Sequence, residues 1–285
     1  MRKVSVISDS TSDLSKDLLE RYQVRTFPLH IHLGDEEFSD GIDITPDQIY
    51  AWSDANKATP KTSVMSPVEA RTYLEKELET YEEVVCFCIS EEMSSSASVM
   101  RMAAADLEAE DKVFVIDSRN LSTGIGLQII EAVLLAEQGK SAKEIVEAIQ
   151  DLQKYVRASF VVDTLTYLYR GGRCSGLAAL AGSTLKLHPC ISVTEGKMHA
   201  GKKYRGKIDK VILEYVEDLM PELKNACPDR VFITHSGCDQ TIIDAVKEKL
   251  EAMGHFKEVL VTRAGSVITS HCGPGTLGVL FIAGK

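Results

Sequence analysis

The chain has 285 residues, 44% hydrophobic and 26% charged, with 42 acidic against 32 basic side chains and a formal charge of −10. That composition fits one large or two smaller globular domains, and its acidity without any Lys/Arg block excludes a phosphate-backbone binder, so no nucleic-acid partner is expected. No apolar run reaches the roughly 18 residues of a membrane-spanning helix, and "MRKVSVISDSTSDL" lacks a signal peptide's apolar core, so a cytoplasmic protein without stable membrane insertion is expected.

In chain order, "KVSVIS" (3–8) predicts a short strand and "DSTSDLSKDLLERY" a capped amphipathic helix. "VRTFPLHIHL" (24–33) is strand-like. Thr45-Pro46 and Ser66-Pro67 each open a helix, over 45–55 and 66–79, because Ser or Thr caps and Pro suits the first turn. "EEVVCFCIS" predicts the next strand, followed by a helix from about Ser94 to Leu107. Cys86 and Cys88 stand two apart in that strand and share a face, as buried reduced thiols would. A strand at 111–117 and helices at 122–139 and 141–155 follow. Strands alternating with helices predict a mainly parallel sheet.

Beyond a boundary near residue 156 the pattern changes. A strand at 157–163, short helices around Gly171-Gly172, a hairpin signal at Glu195-Gly196 and a helix at 207–224 come first. "DRVFITHSG", a helix at 240–253, "KEVLVTRAG" and "GTLGVLFIAG" complete the chain. The expected architecture is α/β in two domains. Residues 1–156 form a mainly parallel sheet flanked by helices, and 157–285 an α+β domain, with a ligand held between them. The seven cysteines and seven histidines are dispersed without zinc-like spacing, so neither a metal nor another cofactor is expected.

Four apolar runs end in small polar residues. They are Asp9-Ser10-Thr11, the serines of "CISEEMSSSAS" (88–98), Asp117-Ser118 with Ser122 and Thr123 behind, and His235-Ser236-Gly237. Ligands of open α/β sheets bind beyond the carboxyl ends of the strands, where helix N-termini favour an anion. Helix capping explains any one of these sites by itself. The segments "RGGRCSG" and "SHCGPGTLG" match neither a phosphate loop nor a dinucleotide fingerprint, and no Gly-x-Ser-x-Gly elbow occurs. The serines therefore read as hydroxyl donors to a carboxylate or phosphate rather than as nucleophiles. The stretch "GLAALAGSTLKL" (176–187) is apolar and rich in small side chains, which leave room for a guest or allow close helix packing.

Six segments together resemble the DegV family of bacterial fatty-acid-binding proteins: "SDSTSDL", "PKTSVMSP", the strand with its serines, "VIDSRNLSTGIG", "LTYLYRGGRCS" and "HCGPGTLGVLF". The resemblance implies a non-enzymatic carrier that holds a long-chain fatty acid in an apolar tunnel. Such a carrier presents the carboxylate to a separate fatty acid kinase, which makes an acyl-phosphate for phospholipid synthesis. It also implies head-group contacts from Thr62 and Ser94, with Ser63, Ser95, His271 and Gly273 beside them. Arg205 and His271 are implied in the kinase step, and Arg173, Leu177, Leu180 and Ile191 at or near the tunnel. The sequence departs from the family pattern at Val64-Met65, where Gln-Pro is usual, at Ser95-Ser96, where Gly-Thr is usual, and at Cys272, where Thr is usual. Two other readings stay open on the residues alone. One is a hydrolase or transferase using Ser94 and His271 on a small anionic substrate. The other is a module that senses a lipid without delivering it.

Overall fold

The computed structural model describes residues 2–173 and 187–284, so Leu177 and Leu180 lie outside the described residues. Strand β1 (Val4–Asp9) leads into a single 3-10 turn, Ser10–Ser12, and helix α1 begins only at Lys16 (Lys16–Arg21). The one helix expected over this stretch is therefore two pieces. Asp9 caps the first, Asp13 ends it with a left-handed φ of +51°, and Ser15 caps the second. The strand expected over 24–33 is also divided, into β2 (Arg25–Phe27) and β3 (His30–Leu33). Pro28 lies at the break, where a residue without an N–H cannot continue a ladder.

Next come β4 (Glu36–Ser39), α2 (Pro46–Asn56), β5 (Lys61–Ser63), α3 (Pro67–Leu78) and β6 (Glu83–Cys88). Thr45 and Ser66 cap α2 and α3 in reciprocal capping boxes with Gln48 and Glu69, as their sequences imply. Helix α4 (Ser96–Asp106) starts two residues later than expected and is followed by β7 (Val113–Asp117), α5 (Thr123–Glu137) and α6 (Ala142–Gln153). The order β2-β1-β6-β7 makes a four-stranded, wholly parallel sheet. Strands β4-β3-β5 make a small antiparallel sheet beside it.

The second half contains β8 (Val156–Val161), α7 (Thr166–Arg170), β9 (Leu187–Thr194), β10 (Lys197–Arg205), α8 (Ile208–Leu223) and β11 (Ala226–Ser236). It closes with α9 (Gln240–Glu251), β12 (Glu258–Arg263), α10 (Ser266–Cys272) and β13 (Thr276–Ala283). Six strands form a mixed sheet in the order β10-β9-β8-β13-β11-β12. The β9–β10 turn has Glu195 at φ +51° and Gly196 at φ +80°, the doubly left-handed turn that matches strand twist.

Helix α5 lies between the two large sheets. It is apolar on almost every side, and such a helix is stable only when covered all round. Its Ile125, Leu127 and Ile130 share one core with Val6 and Phe87 of the parallel sheet and with Phe160, Phe232 and Leu280 of the mixed sheet. The sheets' outer faces are covered separately. Ile7, Val84, Cys86 and Cys88 pack against α3 and α4, and Val231, Ile233, Val279 and Phe281 against α8 and α9. Alternation along each strand divides its residues between these cores. Cys86 and Cys88 are both free and fully buried, with their sulfurs 4.0 Å apart.

Candidate functional site

A cavity of about 280 Å³ opens where the carboxyl ends of β6 and β7 approach β11, β13 and α10. Strand-end loops supply much of its wall because parallel strands point their carboxyl ends the same way. Most of that wall is apolar, including Leu29, Ile89, Phe160, Leu168, Val267 and Leu280. Thr62, Ser94, Arg173 and His271 bring polar groups to it.

These polar groups are linked. Thr62 Oγ1 lies 2.8 Å from His271 Nε2, although the two residues are 209 apart in sequence. Arg173 acts on the same imidazole electrostatically. Its guanidinium donates to the carbonyl of Gly171 at 2.7 Å and to that of Met93 at 3.4 Å, which places it beside the loop bearing Ser94. Burial and the charge on Arg173 push the His271 pKa down to about 4. The imidazole is therefore neutral at neutral pH. When Nε2–H donates to Thr62 Oγ1, the Thr62 hydroxyl proton is free for an anion. Gly171 lets the chain pass close to the ring, since a methyl group there would lie 2.3 Å from His271 Nδ1.

The serine cluster divides its work. Ser94 Oγ accepts the Ser96 amide at 3.3 Å and keeps its own proton to donate. Ser95 also borders the cavity and makes no side-chain cap bond to α4. Ser96 is buried and donates to Asp9 Oδ2 at 3.0 Å, and the Ile89 amide donates to the same oxygen at 2.8 Å. Asp9 thus ties β1 to β6 and α4, beyond the capping role its position suggests. Ser90 Oγ donates to the carbonyl of Gly196 at 2.8 Å, fastening the β9–β10 turn to this loop.

Other expected site residues fall elsewhere. Ser63 borders the cavity, but its hydroxyl is 2.9 Å from His32 Nε2, because successive strand residues face opposite sides and Thr62 takes the side towards His271. Gly273 is absent from the cavity wall. It ends α10 at φ +73°, where a methyl group would lie 2.5 Å from the Tyr167 ring, so close packing is what requires glycine there. Ile191 is buried in β9 opposite Phe160, next to the cavity wall rather than on it. Arg205 is exposed at the end of β10. The Ser94–His271 pair of the hydrolase reading is not hydrogen-bonded, since His271 takes Thr62 as its partner. Helix α10, not apparent in the sequence, supplies Val267, Ile268 and Cys272 to the wall as well as His271. Its seven residues lie between glycines and include four hydroxyl or imidazole side chains, which hides any apolar period. No helix among the described residues is long and apolar enough to cross a membrane.

The profile of the DegV family, described as an uncharacterised protein family, matches residues 3–284. A DegV domain-containing protein of Clostridium acetobutylicum is 31% identical over 282 residues, covering 98% of this chain and 99% of that one. Among solved structures, a DegV family protein of Thermus thermophilus described for its fatty acid binding has a TM-score of 0.89 at 31% identity, covering 99% of this chain and 100% of its own. A stearic-acid-binding protein of Eubacterium ventriosum has a TM-score of 0.84 at 28% identity, covering 99% and 98%. The parallel sheet flanked by helices and the further mixed sheet are the fold of these structures, and the chain belongs to the DegV family.

Proposed function

We propose that the chain binds a long-chain fatty acid in the cavity and presents its carboxylate to a separate fatty acid kinase for acyl-phosphate formation. The observation that carries the binding step is the linked set Thr62, His271 and Arg173 on an otherwise apolar wall. Each buried methylene contributes about 0.8 kcal/mol, so a long acyl chain supplies on the order of 10 kcal/mol gross. The carboxylate then needs few contacts, but it must be satisfied because a bare buried charge is costly. Hydroxyl donors from Thr62 and Ser94, with Arg173 nearby, meet that need. The fatty-acid-binding relatives support the same ligand class.

Presentation to a kinase rests on Arg205 and His271. Arg205 is exposed in a basic stretch of an acidic chain, and a guanidinium can neutralise the charge crowded between a carboxylate and ATP phosphates. His271 sits at the head-group set itself. With a cognate kinase and ATP supplied, Arg205→Ala and His271→Ala should retain much of their lipid by mass spectrometry. Each should lose at least about tenfold of the acyl-phosphate trapped with hydroxylamine. Wild-type yields from both variants would remove the delivery role, and parallel loss of lipid and yield would reduce their role to binding.

A further inference from the structure

Helix α10 carries His271 in its last turn, so the contact with Thr62 depends on how the other end of the helix is anchored. Two buried carboxylates anchor it. Asp13 Oδ1 accepts the Gly265 amide at 2.8 Å, and Asp40 Oδ1 accepts the Ser266 amide at 2.8 Å. They crowd a single residue, for a methyl group on Gly265 would lie 3.2 Å from Asp13 Oδ1 and 3.3 Å from Asp40 Oδ2. The other oxygen of Asp13 accepts the hydroxyl of Ser122, which borders the cavity. Ser122 holds φ +52° and ψ −142°, a strained backbone region that is essentially glycine's. Asp13 therefore joins three parts of the site: the turn after β1, the start of α5 and the start of α10.

Two carboxylates this close in a buried place resist ionising together. Burial pushes Asp13 up to about 8, with Asp40 and Asp9 adding to the shift, and burial raises Asp40 as well. The groups facing the pair are Asp9 from β1, the hydroxyls of Ser10, Ser122 and Ser266, and the Cys272 thiol of α10. That thiol is itself pushed up to about 12, by burial first and with Asp13 contributing. None of these groups is a cation.

We propose that Asp13 and Asp40 form a one-proton latch on α10, positioning His271 against Thr62 while the proton is held and loosening the helix when it is lost, because repulsion between the two buried carboxylates then outweighs their stronger hold on the Gly265 and Ser266 amides. The latch rests on the reading that the cavity holds a fatty acid, whose exchange it would control. A folded-state pKa raised from 3.8 to about 8 means the folded pair keeps a proton that the unfolded chain sheds earlier. Its stabilising effect is therefore fully present in acid and lost as pH rises through about 8.

The test follows exchange of bound oleate for carbon-13-labelled oleate by mass spectrometry, from about pH 6 to about pH 10. Wild-type exchange should quicken about tenfold across the upper half of that range, whereas Asp13→Asn, a neutral mimic of the protonated acid, stays slow throughout. Asp40→Asn removes the neighbouring charge and should move the midpoint down by about one pH unit. A flat wild-type profile, an Asp13→Asn profile that follows wild type, or an unmoved Asp40→Asn midpoint overturns the latch. Should a variant not fold, infrared spectra of the wild-type chain decide. A protonated-carboxyl band must be present near pH 7 and lose intensity above about pH 9, and a band that is absent or unchanged across that range refutes the held proton. Failure of oleate to bind at all would count against the fatty-acid reading instead, leaving the infrared result to judge the latch.

Discussion

At the scale of single residues, the head-group set works through hydroxyl protons aimed at one place. Thr62 comes from β5 and Ser94 from the loop between β6 and α4; Ser94 keeps its proton to give, as does Thr62 when His271 Nε2–H donates to it. Hydrogen bonds to a charged group are worth roughly 1.5–3 kcal/mol each, so Thr62→Ala with Ser94→Ala should weaken fatty-acid affinity at least about a hundredfold. Isothermal titration checks this, and unchanged affinity with a lowered melting temperature would mean that the two hydroxyls only cap and brace. His271 adds a pH signature. Its depressed pKa means that the unfolded chain takes up a proton between about 6.5 and about 4 that the folded chain refuses. Wild type should therefore lose stability relative to His271→Gln as pH drops through that window, whatever the buried carboxylates contribute to both. Urea midpoints measured across the window give the comparison. Thr62 and Ser94 entered through the family resemblance as head-group residues and Arg173 as a tunnel residue, and all three border the same cavity. The Thr62–His271 contact was not legible in the sequence, because no spacing rule links residues so distant along the chain.

At the scale of elements, short pieces place the site. Strand β5 has three residues and α10 has seven, yet they bring Thr62 and His271 together. Elements this short leave little periodicity to read, which is why β5 and α10 were hidden. The capped helices α2, α3 and α6 were plain, since Thr45, Ser66 and Ser141 each stand three residues before a Gln or Glu. Ends held by close backbone contact should be the least tolerant. Gly273→Ala adds a left-handed strain of about 1–3 kcal/mol and a clash with Tyr167, so it should lower the melting temperature and displace His271. Calorimetry and the His271 NMR resonance report the two effects separately. Gly139→Ala is the control, since its added methyl group meets no atom within 4 Å at a similar φ of +81°. It should show the strain without the displacement.

For the whole molecule, the alternation of strands and helices followed by a mixed pattern predicted two kinds of sheet, and both are present. The sequence did not reveal that α5 serves both of them. The core around α5 draws residues from either side of position 156, and Thr123 Oγ1 of α5 lies 2.6 Å from Thr234 Oγ1 of β11. We retain 1–156 and 157–285 as a proposed division of architecture, with folding shared across it. An isolated 157–285 fragment would expose the face of its sheet that α5 covers. It should give no cooperative unfolding transition, whereas the full chain should give one by circular dichroism and by fluorescence alike.

The cavity between these sheets is proposed to hold a fatty acid by its carboxylate and its tail. Organic extraction of the protein purified from a bacterial host, followed by mass spectrometry, tests it most directly. Close to one long-chain fatty acid per chain is expected, reduced in the Thr62→Ala, Ser94→Ala double variant. A protein that carries no fatty acid, and takes up none when oleate is added, would contradict the proposal.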